Sequence, residues 1–210
     1  MTSGPRLPLR RSLETAAGRR AYARRLFATI ADRYDLITVL LSYGQDRRWK
    51  RQLADLAGPV QGRRVLDLAC GTGDIAFALS ARGAAVTGLD LTHRMLQIAR
   101  ARGATAGRSA QFVTGDMLAL PFADAGFDMV TIGYGLRNVP ELRPAIREIR
   151  RVLRPGGVML SLDFDRPANP VLRTIYLGYL TIAGSLVGLL LHRDPDTYRY
   201  IPESIRRYPG

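Results

Sequence analysis

From Arg64 to Phe164 the chain alternates short apolar runs with stretches of helical period. The runs Arg64–Ala69, Ala85–Leu89, Ala110–Thr114, Phe127–Ile132 and Val158–Phe164 predict buried strands. Between them, Asp74–Ala81, Thr92–Ala101 and Glu141–Leu153 predict helices. In the last of these, Leu142, Ile146, Ile149 and Leu153 fall on one stripe, the mark of a helix packed on one side. Such alternation implies an α/β fold: a Rossmann-like, doubly wound, mostly parallel sheet with helices on both faces. Upstream, Tyr22, Leu26, Phe27 and Ile30 recur at helical spacing between Arg19 and Arg33. A second short helix is expected at Asp46–Ala57, stopped by Gly58-Pro59. Residues 1–18 place Pro5, Pro8 and Gly18 among arginines with little apolar content, and are expected to be disordered. Residues 19–210 then make one domain, with 19–60 as a helical lid and 170–193 as an apolar helical segment.

The chemistry concentrates where the first strand meets the first helix of the alternation, in Val65–Ala76, VLDLACGTGDIA. Gly71 and Gly73, with Thr72 between them, allow a tight turn and close approach of a ligand to the backbone. The pattern Gly71-x-Gly73-x-x-Ala76 also satisfies the dinucleotide fingerprint, and Asp90 ends the next strand where a ribose-binding acid is expected. The flanking charge separates the two readings. Asp67 and Asp74 bracket the glycines, and a pyrophosphate there would face two carboxylates. S-adenosylmethionine carries no phosphate but an ammonium and a sulfonium, which acids favour. Asp116, after the third strand, is placed to accept from an adenine amino group. Asp67, Asp90 and Asp116 thus converge on the carboxyl edge of the sheet, where open α/β sheets bind ligands. Met117 and Gly133 are expected to complete the donor pocket.

Composition bounds the rest. The chain has 210 residues with 47% hydrophobic content, enough for one sizeable core. One cysteine, Cys70, cannot form an internal disulfide and suits a reducing cytoplasm. Lys and Arg outnumber Asp and Glu by 31 to 18, for a formal charge of +13, which favours an anionic membrane or a nucleic acid. A nucleic-acid partner would call for aromatic residues interleaved with the cations, and no such patch is present. No cluster has metal-ligand spacing, so no metal is expected, and His93, at a helix start, reads as a solvated position.

Four stretches carry a resemblance: FATIADRYDLITVLLSYGQDRRWKR at Phe27–Arg51, TIGYGLRNVPE at Thr131–Glu141, RVLRPGG at Arg151–Gly157 and DPDTYRYIPESIRRYP at Asp194–Pro209. Together with the glycine loop they resemble the ubiquinone/menaquinone biosynthesis C-methyltransferase family, over roughly residues 25–210. The chain departs from that family's usual pattern at Ile37-Thr38, at Asp46 three residues before Trp49, and at Asp163-Phe164-Asp165. The family usually continues past Pro209 with two further strands; the sequence stops at Gly210, as a fragment or with an unusual ending, and without those strands Val158–Phe164 is expected at an edge.

The resemblance implies methyl transfer from S-adenosylmethionine to a ring carbon of a polyprenyl hydroquinone, a demethylmenaquinol or ubiquinol precursor. Arg137 and Asn138 are then the candidates for stabilising a phenolate-like ring, with water accepting the proton, and Tyr34 for completing the relay. Another lipid or phenol as acceptor, and a non-catalytic cofactor-binding relative, are the competing readings. A polyprenyl acceptor resides in a bilayer. The uncharged stretch Thr174–Leu191 is about 27 Å long if helical, near the lower limit for a membrane span. Peripheral contact with the cytoplasmic face of the membrane is the favoured reading of this stretch, with ordinary core or dimer contact and a membrane span as its alternatives; a homodimer or a quinone-biosynthesis complex is the assembly considered.

Overall fold

A computed structural model describes residues 14–209. The secondary elements run in the order α1 (Ala16–Ile30), α2 (Tyr34–Leu41), α3 (Asp46–Leu56), β1 (Arg64–Leu68), α4 (Asp74–Ser80), β2 (Ala85–Asp90), α5 (His93–Ala106), β3 (Gln111–Thr114), β4 (Phe127–Gly133), α6 (Leu142–Val152), β5 (Leu153–Leu162), α7 (Pro170–His192) and α8 (Tyr200–Arg207), with short 3-10 turns at Ala31–Arg33 and Leu136–Asn138. The described residues divide into two compact units: Phe27–Asp163, and a second made of those before Phe27 together with those from Phe164 onward.

The first unit is the expected α/β layer structure. Its sheet has the order β3-β2-β1-β4-β5 and is parallel throughout. The order reverses between β1 and β4, whose register pairs Leu68 with Ile132. Right-handed crossovers put α4 and α5 on one face and α6 on the other. Val65, Val86 and Met129 from the sheet pack with Ile75, Ala76 and Leu79 of α4 and with Leu53, Ala54 and Ala57 of α3. β1 and β4 are buried almost end to end, which is why both read as continuous apolar runs.

Several boundaries differ from the sequence expectation, each for a local reason. β5 begins at Leu153 rather than Val158 and ends at Leu162. Leu153 pairs with Phe127, and the ladder then shifts register before Val158 meets Met129, so the Pro-Gly-Gly stretch is absorbed as an irregularity inside the strand. β5 is an edge strand among the described residues. α5 runs on to Ala106, past Ala101. Gly103 is kept inside it because a Cβ there would sit 3.2 Å from the Phe77 ring, and Gly107, at φ +60°, ends it. α1 starts at Ala16, so Ala16–Gly18 are helical and not disordered; residues 1–13 lie outside the described residues. α2 lies inside the helical lid expected over 19–60, where no separate helix at Tyr34–Leu41 is expected, and α8 is not expected.

In the second unit, Leu177 and Leu180 of α7 enclose Ile205 of α8, with Phe164, Tyr176 and Ile201 packed around them. Asn169 caps α7 by accepting from the backbone N–H groups of Val171 and Leu172, and Pro170 supplies the first helical turn. Gly184 and Gly188 have helix-dimer spacing in sequence, but here they serve the chain's own return segment. A Cβ on Gly188 would lie 2.5 Å from the Asp194 carbonyl oxygen, and one on Gly184 3.1 Å from that of Tyr198. The opposite face of α7 leaves Ile175, Ile182, Leu186 and Leu190 exposed. By length and composition α7 could cross a membrane. The return segment argues against a span, because Glu203, Arg206 and Arg207 of α8 would then be carried into hydrocarbon beside it.

Candidate active site

The carboxyl ends of β1 and β4 deliver the functional side chains. After β1 the chain enters left-handed conformations at Ala69, Gly71 and Gly73, the last at φ +89°. A Cβ on Gly73 would strike the Phe77 ring at 2.7 Å, whereas one on Gly71 would meet only Tyr34, at 3.9 Å. Gly73 is therefore demanded by packing and backbone, and Gly71 by backbone while its outer side stays open. Gly133 is also a packing glycine: its Cβ would lie 2.6 Å from Ile75. Its backbone also borders the small pocket at the ends of β1 and β4.

A small pocket, about 20 Å³ in volume, gathers Tyr34, Asp67, Gly71, Thr72 and Gly133 with Lys50, Asp74 and Tyr134. Asp67 is its buried acid. Its Oδ1 accepts from Thr131 Oγ1 at 2.7 Å, while Oδ2 is buried with no hydrogen-bond partner. Burial pushes its pKa up to about 7, against the opposing hydrogen bond from Thr131. Asp90 is held differently: its oxygens accept from the backbone N–H of Gly71 at 2.9 Å and of Thr92 at 2.8 Å. Burial raises its pKa too, and those two N–H groups pull it back. Asp90 thus fixes the glycine loop from behind.

Asp116 and Met117 stand on the loop after β3 and are not among the residues lining this pocket. Asp116 accepts from the backbone of Leu118 at 2.9 Å, and the preceding residue, Gly115, donates to the Asp90 carbonyl at 3.0 Å. The loop after β3 is thereby tied to the end of β2.

Two polar groups went unnoticed in sequence. Lys50 of α3 binds Asp46 at 2.8 Å and Asp74 at 2.9 Å, with its side chain only 12% exposed. Burial pulls the ammonium's pKa down, but Asp74, Tyr34 and Asp46 together leave it above the ordinary lysine value. Arg102 joins the same network, pairing with Asp35 and Asp74 and donating to the Thr72 carbonyl, while Thr72 Oγ1 donates to Asp35. Ion pairs from α2 and α3 therefore hold the glycine loop. Tyr134, left-handed at φ 58° without being glycine, carries its ring under both Lys50 and Arg137, at 5.9 and 5.6 Å.

Arg137 is not a surface arginine. Its Nη1 pairs with Asp163 Oδ1 at 2.8 Å, with 7% and 4% of the two side chains exposed, and also donates to the Tyr134 carbonyl at 3.2 Å. Asn138 Nδ2 donates to the same carbonyl at 2.8 Å, and its Oδ1 is buried without a hydrogen-bond partner. No side chain caps α6, so capping is not what Asn138 is for. Burial raises the pKa of Tyr34, while Lys50 and Arg137 lower it, which puts the phenol within electrostatic reach of both cations.

These residues suit the donor proposed from sequence. The orphaned Asp67 oxygen is an acceptor for an ammonium, the open side of Gly71 admits a ligand to the backbone, and Lys50 offers a counter-charge to a carboxylate.

The model of the ubiE/COQ5 methyltransferase family matches residues 15–210. Among curated proteins, the demethylmenaquinone methyltransferase of Thermus thermophilus is 42% identical over 187 residues, covering 88% of this chain and 85% of that protein. The ubiquinone/menaquinone biosynthesis C-methyltransferase of Paracoccus denitrificans is 44% identical over 189 residues, covering 88% and 75%. Among solved structures, the YcgJ protein from Bacillus subtilis superposes with a TM-score of 0.58 at 31% identity, over 64% of this chain and 58% of that one. An S-adenosylmethionine-dependent methyltransferase from Aquifex aeolicus gives 0.53 at 18% identity, over 58% and 66%, a likeness of fold alone.

Proposed function

Since the chain belongs to the ubiE/COQ5 methyltransferase family, we propose that it methylates a ring carbon of a polyprenyl hydroquinone, a demethylmenaquinol or ubiquinol precursor, in respiratory quinone biosynthesis. It is an S-adenosylmethionine-dependent methyltransferase. The observation that carries the acceptor reading is the buried Arg137–Asn138 arrangement at the end of β4, beside the donor pocket.

Bound S-adenosylmethionine supplies an electrophilic methyl group. Asp67, Gly71, Thr72 and Lys50 would hold its amino-acid end, and Asp90, through Gly71, keeps the loop shaped for it. Asp116 and Met117 would reach its adenine. With so little free volume, entry requires Tyr34, Lys50 or Tyr134 to shift, since ligand pockets ordinarily run to several hundred Å³.

An aromatic carbon becomes a useful nucleophile when a ring hydroxyl surrenders its proton. Arg137 stays protonated, so it stabilises the phenolate as a fixed cation and does not take the proton, which passes to water. Asn138 Oδ1, lacking a partner, is an acceptor for the ring hydroxyl before the proton leaves. Tyr34 orders the water. Transfer of the methyl from the sulfonium to the ring carbon would be balanced by loss of the ring hydrogen as a proton to water, with Arg137 holding the phenolate throughout.

The acceptor's tail belongs to a bilayer, and the exposed face of α7 is suited to meet it. No acidic residue occurs between Asp165 and Asp194, while Arg166, Arg173 and Arg193 do. Apolar contact plus basic flanks gives reversible docking at the cytoplasmic face of an anionic membrane. Cosedimentation with anionic vesicles that falls as salt rises is the expected result; binding that survives high salt would indicate a span, and indifference to vesicles at low salt would overturn docking.

The defining experiment incubates the purified chain with methyl-labelled donor and short-tailed demethylmenaquinol or ubiquinol precursors. Label in a ring methyl supports the proposal. Donor binding without transfer to either ring overturns it in favour of another acceptor.

A further inference from the structure

We propose that Asp163, the first residue beyond β5, is the positioning residue for Arg137 and through it for the loop that follows β4. The proposal rests on the acceptor-side role given to Arg137 above.

One carboxylate grips Arg137 twice. Asp163 Oδ1 takes the guanidinium at 2.8 Å, and Oδ2 accepts the backbone N–H of the same residue at 3.2 Å. The main-chain position and the tip of the side chain are thereby referred to one point, which a counter-ion reaching only the guanidinium could not do. That point is itself rigid. The β4–β5 ladder pairs Gly133 with Leu162, and Tyr134 N–H donates to the Leu162 carbonyl at 2.7 Å, so the start of the loop is laid on the end of β5. Asp163 follows immediately. Its own position is fixed by the sheet.

The fixation passes onward. Arg137 Nη1 and Asn138 Nδ2 share the Tyr134 carbonyl, at 3.2 and 2.8 Å. Tyr134 holds a left-handed backbone that a residue with a Cβ adopts only when its surroundings enforce it. Releasing Arg137 from Asp163 would loosen the carbonyl's second donor and with it the orientation of Asn138. Charge is essential to the device. A guanidinium buried to this degree without a counter-ion gains by swinging out to water, so a neutral side chain at position 163 would leave the cation present but displaced.

The test uses the purified full chain, labelled donor and a short-tailed acceptor. Asp163→Asn is expected to lower kcat by about 30-fold or more, with KM for the acceptor and donor Kd by calorimetry within about threefold of wild type. Asp163→Glu, which keeps the charge and both acceptor atoms, is expected to recover activity to within about tenfold. A residue acting through Arg137 has nothing left to position once Arg137 is gone. The neutral pair Arg137→Gln with Asp163→Asn should therefore match Arg137→Gln alone within about twofold. Wild-type turnover by Asp163→Asn overturns the proposal, as does a double variant that loses the full product of the two single effects. If Asp163→Asn does not fold by circular dichroism, Asp163→Glu and the neutral pair still decide: failure of the charge-preserving variant to act refutes it. Wild-type turnover by Arg137→Gln is a separate outcome, and overturns the acceptor-side reading itself.

Discussion

The loops after β1 and β4 leave neighbouring strands at the same edge of the sheet, yet they manage charge in opposite ways. The glycine loop keeps capacity in reserve: Asp67 leaves one buried oxygen without a partner, and its pKa stands near 7. The loop after β4 neutralises its cation internally, through Asp163. The difference suits the two tasks proposed for these loops. A donor that arrives with its own positive charges needs an uncommitted acid. A phenolate that exists only in passing needs a cation already fixed in place, since reorganising it during the reaction would cost part of the stabilisation.

The contrast breaks most visibly at Arg137. Arg137→Ala should lower turnover about 10²–10³-fold while donor affinity stays nearly unchanged. It should also destabilise the fold by about 3–5 kcal/mol, because Asp163 is left buried without its counter-ion. Parallel losses of turnover and donor affinity would show that both loops serve the donor. Asp90→Ala should come next, weakening donor binding by about 1–3 kcal/mol as Gly71 and Thr92 lose their acceptor; calorimetry showing unchanged affinity in a folded variant refutes it. The pH dependence sharpens the same comparison. Asp67 must be ionised to hold an ammonium, so donor affinity should fall by up to about tenfold per pH unit below pH 7 and level off above it. Asp67→Asn should flatten that slope, and an unchanged slope would assign it to another group. Asp116→Ala should have the mildest effect, about 1 kcal/mol or less in donor binding, given its place outside the small pocket.

Much of the small pocket was legible in sequence, because the residues lining it lie close together on a strand, a turn and a helix start. Asp67 and Asp90 could be placed by strand ends and Gly71 and Thr72 by the glycine turn, but not the hold of Asp90 on the Gly71 and Thr92 N–H groups. Gly133 lines the small pocket and also packs against Ile75 of α4, a second demand for glycine that the sequence does not show. Lys50 was missed because a lysine in a basic helix reads as solvated, and its partner Asp74 lies 24 residues away. The Arg137–Asp163 pair spans 26 residues and depends on which strands become neighbours, which no local pattern encodes. α2 escaped notice because YDLITVLL, apolar and partly β-branched, suits a strand as well as a helix, and only packing of Ile37 decides. α8 was hidden by Pro202, which is tolerated in a first helical turn.

The adjacency of β1 and β4 has a consequence for how such an enzyme can diversify. Neighbouring strands lie about 4.8 Å apart whatever their side chains, so the distance from glycine loop to arginine loop is an inherited property of the backbone ladder. Substitutions in helices outside that ladder can accumulate without disturbing it. Ile37-Thr38 and Asp46 lie in α2 and α3, outside that ladder. Acceptor preference can therefore drift across a lineage while the spacing on which methyl transfer depends is passed on intact.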